Sequence, residues 1–265
     1  MGQDEAAQSR PRDSVFTTVT WDGLHHVADF ETHLNRLSNH AIRLRMTLPE
    51  NLESEIKKAF ADIVSLKNGQ LEQPIGLVKI VIDGTDQSPV RLLERPITLR
   101  NEEIEAITVP APRWNRKVTG TKHGDWEPYH QARLKADREG SDLALLVHEF
   151  SIIDGDRASP ILLDEGGLVW YSSSEQGGVE SITRSIILSK LGENGFPFQS
   201  GNLTERLVAR AHEMVALGSG MGACRIITID GEDIGGSADL LTQICHQILS
   251  QHYADSSNWT KMVIE

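Results

Sequence analysis

The chain is short of cysteine, of positive charge and of long apolar runs, and each shortage removes a class of function. Its 265 residues include two cysteines, Cys224 and Cys245. They stand in no CxxC or other metal-ligand spacing, so they read as buried thiols of a reducing compartment. Lys and Arg number 26 against 38 Asp and Glu, a formal net charge of −12. That balance argues against nucleic acid as the main partner, because phosphate backbones are held by a basic face. No apolar run approaches the roughly 20 residues of a membrane helix. Met1 to Asp13 has no apolar core of a signal peptide. The expectation is a cytoplasmic or organelle-matrix protein without a membrane partner. Neither Gly-x-Ser-x-Gly nor His-Glu-x-x-His occurs, so the serine-hydrolase and zinc-protease signatures are missing. Ten histidines contain one doublet, His25-His26, and no metal site is expected.

A hydrophobic fraction of 39%, with Gly and Pro spread throughout, suits a globular α/β or α+β protein. After a loose arm over residues 1–13, Ser14 to Trp21 is rich in β-branched residues. Asp22-Gly23 then turns into a return strand over Leu24 to Ala28. Phe30, Leu34, Leu37, Ala41 and Leu44 recur at helical spacing, and a second helix is expected from Glu50 to Lys67. Strands follow at Ile75–Asp83, Val90–Arg95, Ile104–Val109 and Trp114–Thr119. Pro110-Ala111-Pro112 reads as the crossing between a small lobe, 14–110, and a larger one, 111–265. Beyond it come strands at Pro160–Leu163 and Leu168–Tyr171 and helices at Val179–Leu191 and Leu203–Glu213. Strands at Met214–Leu217 and Arg225–Ile229 precede a closing helix over Ala238–Tyr253.

One stretch organises the rest. Lys122 is followed by a helix from Glu127 to Glu139, with Pro128 in its first turn and Gly140 at its stop. Leu143 to Val147 is a short apolar strand, and Ile152-Ile153-Asp154-Gly155 is a second one ending on an acid. A lysine and a carboxylate brought into one cavity are what pyridoxal 5'-phosphate requires. The amine binds its aldehyde, and the acid keeps its pyridine nitrogen protonated. A surface lysine and a turn aspartate would read the same in isolation, so further motifs must decide.

Those motifs are His33-Leu34-Asn35-Arg36-Leu37 on the first helix, Ser181-Ile182-Thr183-Arg184 at a helix start, and Gly218-Ser219-Gly220 before Ile229-Asp230-Gly231. With Lys122, Gly140, Ala144, Leu146, Asp154 and Gly155 in register, the chain resembles the class IV aminotransferases. These are the fold-type IV enzymes that include branched-chain and D-amino acid aminotransferases and aminodeoxychorismate lyase. The resemblance implies a two-lobed, D-amino acid aminotransferase-like fold with the cofactor between the lobes. It makes Lys122 the Schiff-base lysine and Asp154 the partner of the pyridine nitrogen. Arg36, Ile182, Thr183, Ser219 and Gly220 become the phosphate site, where a planar arginine fork and a helix N-terminus both suit an anion. It also implies a homodimer.

The chain departs from the family pattern at several places. Asp154 stands for a glutamate, Ser181 for a glycine and Ser159 for an asparagine. The N-terminus is short by about one hairpin, which is expected to open one edge of the small lobe. The activity implied is amino transfer between an amino acid and a 2-oxo acid. Phe16-Thr17-Thr18 and His123 are nearer to the lyase, which releases pyruvate and 4-aminobenzoate. A degenerate, ligand-binding relative is the non-enzymatic alternative.

Overall fold

The computed structural model describes residues 10–66, 76–84, 90–97 and 102–263. Lys67 of the second expected helix, Ile75 of the following strand and residues 1–9 of the arm lie outside them. Along the chain run β1 (Ser14–Trp21), β2 (His26–Ala28), α1 (Phe30–Leu44), α2 (Leu52–Leu66), β3 (Gly76–Asp83), β4 (Val90–Pro96) and β5 (Glu103–Pro110). Next come α3 (Glu127–Arg138), β6 (Leu143–His148), β7 (Ser151–Gly155), β8 (Ser159–Asp164), β9 (Val169–Tyr171) and α4 (Ile182–Leu191). The last are β10 (Phe198–Ser200), β11 (Leu203–Thr204), α5 (Glu205–Val208), β12 (Ala211–Gly218), β13 (Gly222–Ile229), β14 (Glu232–Asp233), α6 (Leu240–Ala254) and β15 (Trp259–Lys261).

Two sheets result. The smaller has the order β15-β2-β1-β3-β4, and β1 and β3 pair antiparallel along their whole length. Strand alternation gives it two different faces. Val15, Val19, Val78, Ile80 and Ile82 pack on Leu37, Ala41 and Leu44 of α1 and on Ile56 and Phe60 of α2. The other face carries Phe16, Leu77 and Lys79, and Phe16 meets Trp126 edge-on at 4.9 Å. The larger sheet runs β10-β9-β8-β12-β13-β5-β6-β7-β11, with β14 on β13. At its centre β5 is parallel to both β13 and β6. Such a parallel pair is expected to be buried on both faces, and Leu143, Ala144, Leu145 and Leu146 of β6 are all inaccessible. By sheet membership β5 belongs with the larger sheet and β15 with the smaller. We therefore propose that the lobe division follows the sheets rather than residue 110. β15 lies along β2, so β15 rather than β2 ends the smaller sheet on that side.

Two sequence expectations fail here, each for a local reason. Trp114–Thr119 is a turn, not a strand. The Asn115 side chain accepts from Lys117 N at 3.0 Å, and Asn115 O accepts from Val118 N (2.9 Å) and Thr119 N (3.0 Å). These short-range bonds satisfy the backbone without a ladder. Leu203–Glu213 is not a helix. Thr204 caps a single turn, α5, through Leu207 N. The chain from Ala211 is then taken up as a strand between β8 and β13, where sheet burial overrides helical periodicity. The helix expected from Val179 begins at Ile182, with Ser181 extended as its cap and Val179 and Glu180 outside any helix.

α6 joins the two sheets. At its start, buried Glu213 of β12 accepts Leu241 N and Thr242 N (both 2.8 Å) and the Thr242 hydroxyl (2.5 Å). At its end, His252 Nε2 lies 2.8 Å from Asp29 Oδ1, at the N-terminus of α1. Glu213 thus caps a helix remote in sequence, an anion at the positive end of the dipole. Glu213→Ala should lower the unfolding free energy by about 3 kcal/mol, read as a denaturation midpoint, whereas an exposed cap such as Asp239→Ala should change it by less than about 1 kcal/mol.

Candidate active site

Lys122 lies between the Asn115 turn and α3. Its backbone is held from both sides: its carbonyl accepts from Phe16 N (3.2 Å), and its N–H donates to His40 Nδ1 (3.1 Å). The next residue, His123, bridges to Val15 of β1. The amine is 4.9 Å from the Trp126 ring centroid and 5.2 Å from that of Phe16, with no hydrogen-bond acceptor among the described residues. Burial pushes its pKa down to about 7; Arg36 pushes the same way, Asp154 opposes, and Lys79 and Arg95 add to the depression. Lys122 as a residue is only half-buried, so part of it stays accessible rather than being sealed in the core. His40 and His123 are pushed down to about 3 and 4, mainly by burial, and are neutral neighbours.

Asp154 sits on β7, 2% exposed. Its Oδ1 accepts from Ser159 Oγ at 2.9 Å and its Oδ2 from Val179 N at 2.7 Å. Burial raises its pKa above the usual carboxylate value, against the Val179 amide, then Arg184 and Ser159. Ser159, which breaks the family pattern, is thus a direct partner of the acid. Nothing in the sequence marks Val179 for its part.

A third group adjoins these. Arg36 is not on the solvent side of α1 but buried, at 6% exposure. Its Nη1 donates to Glu180 O (2.8 Å) and its Nη2 to Thr17 Oγ1 (2.5 Å). Thr17 Oγ1 is also 2.6 Å from His33 Nδ1, so His33 steadies the hydroxyl that steadies Arg36. The guanidinium Nε is buried without a partner among the described residues. Ser181 caps α4 by accepting from Arg184 N (3.3 Å), so Thr183 is not the cap. Thr183 Oγ1 instead lies 3.4 Å from Ser219 Oγ, in the turn between β12 and β13. In that turn a Cβ on Gly220 would come within 2.8 Å of Leu77 Cδ1, on the smaller sheet. Ile182 N and Thr183 N have no acceptor among the described residues. Unpaired first-turn amides, two hydroxyls and an arginine make a site for a dianion.

All seven sequence-derived residues therefore fall in one neighbourhood. The segment Val179–Thr183 links them: its first amide is on Asp154, its second carbonyl on Arg36, and its last hydroxyl beside Ser219. Chemically, the arrangement offers an amine free to add to a carbonyl, a buried acid and an anion cup. Lys117, five residues earlier in the chain, is exposed in the turn. The nearer rival is Lys79 of β3, 3.8 Å over the Phe16 ring and pushed down to about 8, mainly by burial.

A family model described as amino-transferase class IV matches residues 14–229. No curated protein matches the chain. Similar solved structures include a branched-chain aminotransferase from Thermoproteus uzoniensis with norvaline, 19% identical, covering 98% of this chain and 96% of that one at a TM-score of 0.76. A branched-chain amino acid aminotransferase from Escherichia coli is 17% identical, with coverages of 90% and 84% and a TM-score of 0.74. A Legionella pneumophila protein provisionally described as a 4-amino-4-deoxychorismate lyase is 16% identical, with coverages of 95% and 96% and a TM-score of 0.76.

An amine held near 7 is mostly neutral at pH 8, where an ordinary lysine, near 10.4, is almost wholly protonated. Incubation with pyridoxal phosphate followed by borohydride should therefore label Lys122 first. The labelling rate should climb between pH 6 and 8 and flatten above, as the neutral form saturates. Peptide mapping that finds the label on Lys79 would overturn the assignment.

Proposed function

The chain belongs to the class IV aminotransferase family, and on that premise we propose that it transfers an amino group between an amino acid and a 2-oxo acid on pyridoxal 5'-phosphate linked through Lys122. The observation that carries this reading is the Lys122 amine, unpartnered and near 7, within the field of a buried carboxylate. The cofactor fits the residues present: a neutral-capable amine for its aldehyde, an acid for its ring nitrogen, and the orphaned Arg36 Nε with the α4 amides for its phosphate. Bound there, it supplies an electron-withdrawing ring for chemistry at the substrate α-carbon.

The chain's own residues divide the remaining work. Lys122 Nζ would take a proton from the substrate α-carbon and return it two atoms further along, across the nitrogen, the 1,3-shift that amino transfer requires. A base with a value close to the working pH does this with least cost in either direction. Asp154 holds positive charge at the ring nitrogen. Its own donors, Ser159 and Val179 N, keep its orientation fixed despite a reach one methylene shorter than glutamate. Arg36, Ile182, Thr183, Ser219 and Gly220 hold the phosphate, and Phe16 and Trp126 wall the amine from bulk water. A homodimer accompanies this reading.

The lyase is the second reading. It is favoured by Phe16-Thr17-Thr18 on β1, by His123 beside the lysine, and by the likeness to the Legionella protein. Both reactions use the same lysine, acid and anion cup, so products separate them. Conversion of the bound cofactor to its amine form by an amino donor supports transfer. Formation of 4-aminobenzoate from aminodeoxychorismate, with no amine form from any donor, refutes it in favour of the lyase.

Two substitutions test the assigned roles. Asp154→Asn should retain cofactor but slow turnover by roughly a hundredfold or more; unchanged turnover would return Asp154 to a structural role. Arg36→Ala removes charge-assisted bonds worth about 1.5–3 kcal/mol each. Cofactor affinity, by equilibrium dialysis, should fall about tenfold or more, and an unaltered affinity would place the phosphate elsewhere.

A further inference from the structure

Arg184 has no part in the machinery described so far. It follows Thr183 on α4 and is 5% exposed. Its guanidinium carbon lies 5.2 Å from the centroid of the Tyr171 ring. Nη2 is 3.5 Å from Val179 O, the limit of a hydrogen bond, and Nη1 is buried without a partner. No ion pair involves it among the described residues. Burying a guanidinium on these terms costs far more than leaving it at the surface, so its position calls for a compensating interaction.

The compensation lies across one short stretch of backbone. Val179 N donates to Asp154 Oδ2 at 2.7 Å, while Val179 O faces Arg184 Nη2. Cation and carboxylate thus sit on the two polar groups of one residue, the carbonyl toward the cation and the amide toward the anion. We propose that Arg184 is a positioning residue for Asp154: the permanent countercharge that keeps the carboxylate ionised and aimed, acting through the Val179 backbone. The proposal rests on reading Asp154 as the partner of the cofactor ring.

The other groups around Asp154 cannot fill this role. Lys122, from the loop before α3, attracts Asp154, but its amine is near 7 and changes charge as it works. Tyr129 of α3 faces the acid as a neutral phenol, pushed up by burial. β8 contributes the Ser159 hydroxyl, and β6 sets Leu146 opposite Asp154 in register. An arginine does not lose its proton in a protein, so it alone supplies a charge that stays constant through the catalytic cycle. In keeping with this, burial pulls Arg184 down and Asp154 is the foremost group pulling it back.

The test is the titration of Asp154 itself, followed by carbon-13 NMR of aspartate-labelled full-length chain and assigned with Asp154→Asn. Removing a nearby cation raises a carboxyl group's midpoint. Arg184→Gln and Arg184→Met should therefore move it up by about one pH unit or more, and Arg184→Lys by less than half as much. Two uncharged variants are used so that one that does not fold leaves the other to be read. In the loaded enzyme the acid limb of the pH–rate profile should rise in step. A residue that only packs α4 would lower rate and stability alike at every pH and leave the midpoint in place. An unmoved midpoint in either folded uncharged variant overturns the proposal. A wild-type chain that binds no pyridoxal phosphate would instead overturn the functional reading, with the Asp154 titration still measurable.

Discussion

Everything at this site depends on a carboxylate taken out of water. Asp154 is 2% exposed, and a buried charge persists only where donors and a countercharge replace its hydration. Two of those donors come from outside β7: a hydroxyl from β8 and an amide from the residues just ahead of α4. Meeting that demand fixes Val179, which fixes Glu180 O against Arg36 and sets the height at which α4 begins. The acid and the anion cup are therefore not independent sites. One five-residue segment holds both, and a shift in either end is felt at the other.

The electrostatics carry a second regularity. The chain as a whole is strongly acidic, at −12, yet the groups acting on Lys122 are mostly cations: Arg36, Lys79 and Arg95 against the single carboxylate of Asp154. Local charge of this sign discourages a further proton on the amine and attracts anionic groups, so one field serves both reactivity and capture. The histidines nearby, His40 and His123, are kept neutral by burial and act as spacers and acceptors, not as a competing base.

How much of this was legible in the sequence divides by range. Pro128 opening α3 and Gly140 closing it at a φ of +76° are short-range signals, and both were readable. So was the apolar run of β6, because only a strand buried on both faces tolerates Leu143 to Leu146. The Trp114–Thr119 strand was misread because the bonds around Asn115 are invisible to a tally of β-branched residues. The Leu203–Glu213 helix was misread because its apolar spacing fits a helix until β8 and β13 claim Ala211 onward. Within the site, Lys122, Asp154, Arg36 and Thr183 announced themselves through motif spacing. Val179, Lys79 and the cap Glu213 did not, since each acts through a partner that only the fold brings near. Ser159 was read as a defect in the pattern, whereas its hydroxyl supports the shorter acid.

α6 is fastened at both ends to different bodies, by Glu213 to the larger sheet and by His252 to Asp29 beside the smaller one. Its 15 residues span about 22 Å at 1.5 Å per residue, so it acts as a strut of set length and set phase. Phase is the stricter of the two. One residue inserted into the helix would lengthen it by only about 1.5 Å but would turn everything beyond by about 100°. His252 would then face away from Asp29, and β15 would lose its line along β2. The spacing between the sheets, and with it the meeting of Leu77 and Gly220 across them, is thus written into a residue count far from any reacting atom.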